Sequence, residues 1–229
     1  MDLAAAVATH LTSRSLSPTP QWLAHFTSSV RSNTPLPALQ KTAEFRLLGT
    51  DITTSLQATP QSTFPAGISE SAVPELRIPG PVPVQVLDLE DIGRSRWSQV
   101  EAIEMDERGE TRKGHEVIRV VPDEEDNSDP NPPATNAGGP HKLLVQDAKG
   151  NKAYAFELED VKDIDISSLS IGAKIVLRDF TVARGVIMLT PRSALVLGGK
   201  IEAWDKKWKD DRKKVLKEKA GWREENAFS

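Results

Sequence analysis

The residue types that most often perform catalysis or bind metals are few and scattered in this sequence. There is no cysteine, which excludes disulfides and thiolate metal ligands. The four histidines, His10, His25, His115 and His141, do not stand at metal-ligand spacing from one another. No glycine-rich phosphate loop and no Gly-x-Ser-x-Gly nucleophile motif occurs. We therefore expect a protein that is not an enzyme and that uses no metal or other cofactor.

One acidic cluster, Asp123–Asp126, has the oxygen ligands that a divalent cation prefers. It lacks the interleaved spacing of a calcium-binding loop, in which ligands alternate with other residues. A solvated acidic segment is the favoured interpretation.

The best candidate for recognition is a β-branched run within an otherwise polar stretch. Apolar side chains in such a stretch need burial, and the surface of a partner protein would supply it. An equally favoured interpretation is that the run adds a strand to its own domain. The run consists of Val117, Ile118, Arg119, Val120, Val121 and Pro122.

Charge and aromatic content argue against strong nucleic-acid binding by this chain alone. The net charge is −4 and the pI is near 5.7, whereas phosphate neutralisation needs a basic surface. The predicted strands offer only Tyr154, Phe156 and Phe180 as stacking platforms, and alternation places at least two of them in the core. The sequence indicates weak DNA binding at most.

Helical spacing predicts a three-helix bundle over residues 1–57. The segments 3–11, 21–30 and 38–56 each carry apolar residues on one face, with prolines between them. Residues 58–81 contain five prolines and little periodicity, which indicates an extended linker.

From Val82 the apolar period changes to two, as in β-strands. The pattern changes phase between Val86 and Leu87, which predicts a bulge or bend. A long first strand, two hairpins and a short connection predict a five-stranded, closed OB-fold barrel over residues 82–199. This barrel contains an insertion, residues 104–140, whose length is typical of a functional or disordered loop.

Residues 200–229 are predicted to form a C-terminal helix and tail. Trp204 and Trp208 lie on its apolar stripe, which we expect to pack on the barrel rather than on a partner. Three further residues have predicted structural roles: Trp97 closes one end of the barrel, and Gly198 and Gly199 stop the last strand. The predicted fold class is α+β.

Two classes of protein are disfavoured by the apolar pattern. The N-terminus lacks the continuous apolar segment of a signal peptide, and no apolar run approaches the roughly 18 residues that span a bilayer. We expect a soluble, intracellular protein.

Several segments, taken in order, resemble the family of RecQ-mediated genome instability protein 1. Residues 177–199, with the ending Val-Leu-Gly-Gly, resemble the end of the first OB domain of that family. Residues 91–100 resemble the segment after its first strand, and Trp97 stands where an aromatic Tyr is usual in animals. The segments 21–23, 47–51 and 64–68 resemble the helical region and its exit. The length of the sequence matches the short, single-barrel members of fungi.

The resemblance implies a non-catalytic nuclear subunit, which acts with topoisomerase III and a RecQ-family helicase to dissolve double Holliday junctions. In such a complex, the insertion 104–140 would act at the topoisomerase gate. The family associates a Lys at a Gly-x-Lys position with partner binding, which makes Lys174 a candidate, and Arg178 is a second one on the barrel. A solvated edge-strand lysine is the alternative for Lys174. An independent single-stranded-DNA-binding OB protein is the alternative function.

Overall fold

The computed structural model describes residues 3–30, 34–109 and 139–221. Over these ranges no helix is long and apolar enough to cross a membrane. The chain folds into a helical domain, an OB-fold domain and a C-terminal helix, which confirms the predicted α+β class. The helices are α1 (Leu3–Ser13), α2 (Pro20–Ser29), α3 (Leu36–Leu48), α4 (Ile52–Ser55), α5 (Arg96–Glu107) and α6 (Glu202–Lys219).

The helical domain has four helices in place of the predicted three. The third predicted segment, 38–56, divides because Leu48 ends α3 and the Asp51 side chain caps α4 by accepting from the Thr53 N–H at 3.0 Å. Apolar side chains from all four helices form a separate core. Its fully buried members include Val7, Leu11, Phe26, Ala43, Leu47 and Ile52.

Eight strands form one sheet in the order β1-β6-β7-β4-β3-β2-β5-β8 within the described ranges. All neighbours are antiparallel except β4 and β7. The strands are β1 (Glu75–Ile78), β2 (Val82–Asp91), β3 (His141–Asp147), β4 (Lys152–Glu157), β5 (Lys174–Leu177), β6 (Phe180–Ala183), β7 (Val186–Leu189) and β8 (Ala194–Gly198).

β5 and β6 lie near opposite ends of the strand order, but only Arg178 and Asp179 separate them along the chain. The sheet must therefore curl strongly. The fourth strand predicted for the OB fold is thus kinked into two, and Asp179 has a left-handed φ of 44° at the kink. Within the described ranges the curled sheet has eight strands with β1 and β8 at its edges, whereas the sequence predicted a closed barrel of five strands. The predicted phase change is confirmed, because the β2–β3 register shifts between Val86 and Asp88.

Residues 58–81 are more than the linker that their prolines predict. Phe64 and Ile68 are buried in the OB core, and β1 pairs with β6. The Phe64 N–H donates to the buried carboxylate of Asp147 at 2.8 Å. Single anchoring residues between prolines leave no periodic pattern, which is why the sequence did not reveal them.

Helix α6 lies on the barrel, as its apolar stripe predicts. Leu216 is buried, and Trp208 packs against the OB core while its indole Nε1–H donates to Asp88 at 2.7 Å. The buried carboxylate of Asp205 accepts from the Ile171 N–H at 2.9 Å. Trp204 stays partly exposed at the outer side of the stripe.

Candidate partner interface

The insertion leaves and re-enters the barrel at one point, between β2 and β3. Gly93 and Gly139 pack so closely that a Cβ on either would lie 2.1–2.2 Å from the other's Cα. Beside them, the Ile92 N–H donates to the carbonyl of Pro140 at 3.0 Å. The two ends of the excursion are therefore held together by backbone contacts.

A buried carboxylate organises the departing side of this root. Asp91 accepts from the Gly93 N–H at 2.9 Å and from the Arg94 guanidinium at 2.6 Å. The Gln99 side-chain amide donates to the Asp91 carbonyl at 2.8 Å. Because Asp91 and Gln99 are both buried, these bonds fix the direction in which α5 starts.

A second buried carboxylate organises the returning side. Glu157 on β4 lies 2.6 Å from the Nδ1 of His141, and it also accepts from the backbone N–H groups of His141 (3.0 Å) and Val161 (2.8 Å). The Nε2 atom of His141 is buried without a hydrogen-bond partner in the described part of the chain. A histidine beside a long polar segment would by default be solvated, but His141 is buried.

The structure describes residues 104–109 and 139–140 of the insertion. Helix α5 continues into its first part and ends at Glu107. The run Val117–Pro122 lies outside the described residues, so its role stays a prediction.

Lys174, predicted as a partner contact, is 1% exposed. Its ammonium group donates to the Leu48 carbonyl at 3.1 Å and to the Gly172 carbonyl at 2.7 Å. Leu48 is the last residue of α3, where the helix dipole favours a cation. The interpretation of Lys174 as a solvated lysine is therefore wrong, because in this structure Lys174 joins the two domains. Its role in partner binding stays a prediction.

Gln85 stands opposite Lys174 in the β2–β5 register and completes this joint. Its side-chain oxygen accepts from the Ile52 N–H at the start of α4 at 3.0 Å, and its amide lies 3.4 Å from the Asp51 carboxylate. Two neighbouring barrel side chains thus hold the end of α3 and the start of α4. We name this pair, Lys174 and Gln85, the domain latch.

Electrostatics of the latch follow from its burial. Burial lowers the pKa of Lys174 to about 7, and the nearby Asp51 carboxylate acts in the opposite direction. Lys174 therefore loses its proton, and with it its charge, at a lower pH in the folded protein than in the unfolded chain.

Arg178 is exposed, as its prediction as a barrel contact requires. Its guanidinium donates to the Ser15 hydroxyl at 2.9 Å, so it bridges the barrel and the turn after α1 at the surface. The structure brings Arg178 and Lys174 to the same domain boundary, one at the surface and one beneath it.

Trp97 does not close the barrel, because its side chain is 47% exposed. It lies in the first turn of α5, next to the insertion root, and Gln99 and Val100 provide the buried face of that helix. Val100 in the same helix is fully buried, but the buried face of α5 does not include Trp97 in the first turn. Together with Ile92, Trp97 leaves apolar surface exposed near the root.

Gly198 and Gly199 end β8 with φ values of 79° and 91°, which favour glycine. A Cβ on Gly199 would lie 2.5 Å from the Leu48 carbonyl. Gly199 thus lets the barrel approach the same helix end that the latch holds.

Comparisons with known proteins agree with this architecture. A family model for the N-terminal OB-fold domain of RMI1 matches residues 64–212, and one for its N-terminal helical domain matches residues 11–55. The chain belongs to the RMI1 family. RecQ-mediated genome instability protein 1 of Schizosaccharomyces pombe (strain 972 / ATCC 24843) is 31% identical over 161 residues, which cover 64% of this chain and 68% of that protein. The resemblance inferred from sequence is thereby confirmed.

The RMI1 OB-fold match includes α5 and the first part of α6, and surface ion pairs join α5 to the part of α6 that follows the match. Lys213 lies 2.6 Å from Glu107 and 3.4 Å from Glu104, and Lys217 lies 2.8 Å from Glu104. The Arg212 guanidinium donates to Gln99 at 3.1 Å. Helix α6 thus supports α5, and α5 leads into the insertion.

Elsewhere, this RMI1-family chain offers little chemistry. The described residues contain no group of three or more His, Cys, Asp or Glu side chains that could hold a metal ion. The sequence predicted at least two of the three strand aromatics in the core, but only Phe180 is buried there. Phe156 is half-buried, and Tyr154 is half-exposed with the Lys142 ammonium 4.6 Å from its ring centre. One such pair is less than the basic, aromatic groove that tight single-strand binding needs.

Proposed function

We propose that the chain is a non-catalytic scaffold and regulatory subunit of a complex of topoisomerase III with a RecQ-family helicase. It binds topoisomerase III through the OB fold, and it acts in the nucleus on double Holliday junctions and on catenated DNA. DNA is bound weakly or through the complex. The observation that carries the proposal is membership of the RMI1 family, together with a relative whose name refers to RecQ-mediated genome instability.

The geometry of the insertion root supports a regulatory role for residues 104–140. The contact between Gly93 and Gly139 and the two buried carboxylates hold both ends of the excursion on the barrel. A segment that acts on a partner's gate needs a base that does not move with it. We assign the gating contacts to Val117–Pro122 and the docking contacts to the barrel, where Arg178 is the exposed candidate.

The exposed apolar side chains beside the root extend this docking surface. Ile92 and Trp97 are each more than 40% exposed and belong to the segment that leads into the insertion. Exposed aromatic residues are enriched at protein–protein interfaces. In this proposal they contact topoisomerase III next to the gating segment.

The test compares topoisomerase III capture with decatenation. A variant in which a short Gly-Ser linker replaces residues 110–138 is expected to capture purified topoisomerase III while decatenation changes. A finer variant replaces Val117–Pro122 by Gly and Ser, and its matched control replaces the equally long polar run 127–132. Decatenation should change only in the first of these two.

Two results would contradict the proposal. If the wild-type chain captures no topoisomerase III, the scaffold role is wrong. If the 110–138 replacement leaves decatenation unchanged, the gating role is wrong while the scaffold role stands.

A further inference from the structure

A cleft of about 610 Å³ opens between the helical domain and the end of the barrel. This volume is in the range of pockets that hold small ligands or side chains of a partner, about 300–1,000 Å³. We name it the junction cleft. Its lining comes from α2 and the end of α3 on one side and from Gly199, Lys200 and Glu202 on the other.

The wall from the helical domain is aromatic. Trp22 and Phe26 stack with their ring centres 5.4 Å apart, and Phe45 is 80% exposed, the highest value among the large apolar side chains described. A Phe left this exposed beside two other aromatic rings forms an apolar patch without a cover. Such patches mark interaction surfaces.

The charged residues of the junction cleft favour an anionic group on the ligand. The Arg46 guanidinium lies over the Phe26 ring and donates to the Ser29 hydroxyl, and no carboxylate partner is found for it in the described residues. Lys200 is paired with Glu202 at 2.7 Å. Among the described residues of the lining, His25 is the only other titratable group, and these residues supply too few cations for a nucleic-acid backbone, which demands several.

The floor of the junction cleft connects it to the domain latch. Leu48, Gly49 and Gly199 line the cleft, and the Leu48 carbonyl is the acceptor of the buried Lys174 ammonium. The same carbonyl is the atom that a side chain on Gly199 would strike. Loss of Lys174 would therefore alter the cleft, although Lys174 itself cannot touch a ligand there.

We propose that the junction cleft binds a short segment of a partner protein with an apolar side chain next to an Asp or Glu. The apolar group contacts Phe45 and Trp22, and the carboxylate pairs with Arg46. Lys174 is a positioning residue for this site. The inference deepens the proposed function, because it assigns one of its two protein partners, topoisomerase III or the helicase, to a surface apart from the insertion.

The first experiment uses the full chain with each purified partner. Phe45→Glu is expected to weaken capture of one partner at least tenfold. Leu158→Glu is the matched control, because Leu158 is also an exposed apolar residue (59%) and lies outside the cleft lining. Phe45→Glu should fold normally, since its side chain is almost fully in solvent, and urea unfolding checks this.

The second experiment identifies the chemistry of the ligand. Overlapping peptides of the partner that Phe45→Glu fails to capture are tested for binding to the wild-type chain by fluorescence anisotropy. Peptides with adjacent apolar and acidic residues are expected to bind, and Arg46→Glu should abolish the binding. Lys174→Met should weaken the same peptides severalfold without changing capture of the other partner.

Several results would overturn the inference. If the wild type captures both partners and Phe45→Glu captures both equally well, the junction cleft has no role, although the proposed function survives. Capture of neither partner by the wild type refutes the proposed function itself. A concentration-dependent dimer that Phe45→Glu disrupts, or binding of oligonucleotides that Phe45→Glu abolishes, would assign the cleft to another ligand.

Discussion

The barrel holds its two helical attachments by different physical means. The helical domain is joined through the domain latch, in which two fully buried polar side chains bond to backbone groups at the end of α3 and the start of α4. Lys174 donates to the Leu48 carbonyl, and Gln85 accepts from the Ile52 N–H. Helix α6 is joined through apolar anchors, a row of surface ion pairs with α5 and one buried bond, in which Asp205 accepts from the Ile171 N–H. Buried polar bonds are costly to leave unmade, whereas exposed ion pairs are individually weak. Single substitutions in the latch should therefore cost far more than single substitutions in the exposed ion pairs of the second joint.

Removal of the latch lysine should have the largest effect. Lys174→Ala leaves the carbonyls of Leu48 and Gly172 without their donor and creates a cavity, which should lower the free energy of unfolding by about 2–4 kcal/mol. Lys152→Ala, at an exposed lysine on β4, is the control and should change little. Urea unfolding measures both, and equal effects would show that the latch does not stabilise the joint.

The glutamine of the latch should come next. Gln85→Ala leaves the buried Ile52 N–H without an acceptor, at a cost of about 1–3 kcal/mol. Gln146→Ala provides the comparison, because Gln146 is the cross-strand neighbour of Gln85 on β3 and is only half-buried. Amide exchange at Ile52 should accelerate only in Gln85→Ala. Unchanged exchange there would contradict the assigned bond.

The latch also predicts a dependence of stability on pH. The pKa of Lys174 is about 7 in the folded protein and 10.5 in an ordinary solvated lysine, so the unfolded chain binds more protons between these values. The free energy of unfolding should therefore rise with pH above 7, by about 1–2 kcal/mol up to pH 8.5. Lys174→Met should lack this rise. Parallel pH profiles of the two proteins would mean that Lys174 keeps an ordinary pKa.

The smallest effect is expected at the second joint. Trp208→Phe keeps most of the apolar contact of α6 and loses only the hydrogen bond to Asp88, which should cost about 1 kcal/mol. Trp204→Phe, on the exposed side of the same helix, should change less. Thermal unfolding distinguishes the two, and a loss at Trp208 as large as that of Lys174→Ala would remove the contrast between the joints.

The sequence predicted the fold because apolar periodicity reports which face of an element is buried. Alternation located the strands from Val82 onward and the phase change at Val86, and helical spacing located α1 and α2. The pattern failed where one residue rather than a period decides the structure. Phe64 enters the OB core from a proline-rich segment, and Trp97 stays exposed at the start of an amphipathic helix.

The candidate site was harder to predict, because its polar residues are defined by contacts distant in sequence. Lys174 was singled out through a family resemblance, but its burial depends on Leu48, 126 residues away. Gln85 was not predicted as a site residue. Its place between Val84 and Val86 indicates that its side chain lies on the outer face of the strand. A polar side chain there needs either water or a specific hydrogen-bond partner. The partner of Gln85 is the Ile52 N–H at the start of α4, and α4 was not predicted as a separate helix.

The contact between Gly93 and Gly139 has a consequence for how this family can change in evolution. Because the two ends of this chain excursion are in contact, the barrel sets no distance that the segment between them must span. The entropy of closing a flexible loop grows slowly, by about 0.6 kcal/mol for each doubling of its length. Insertions and deletions between the end of α5 at Glu107 and Gly139 would therefore cost little barrel stability, and this part of the excursion is free to diverge with the partner it meets.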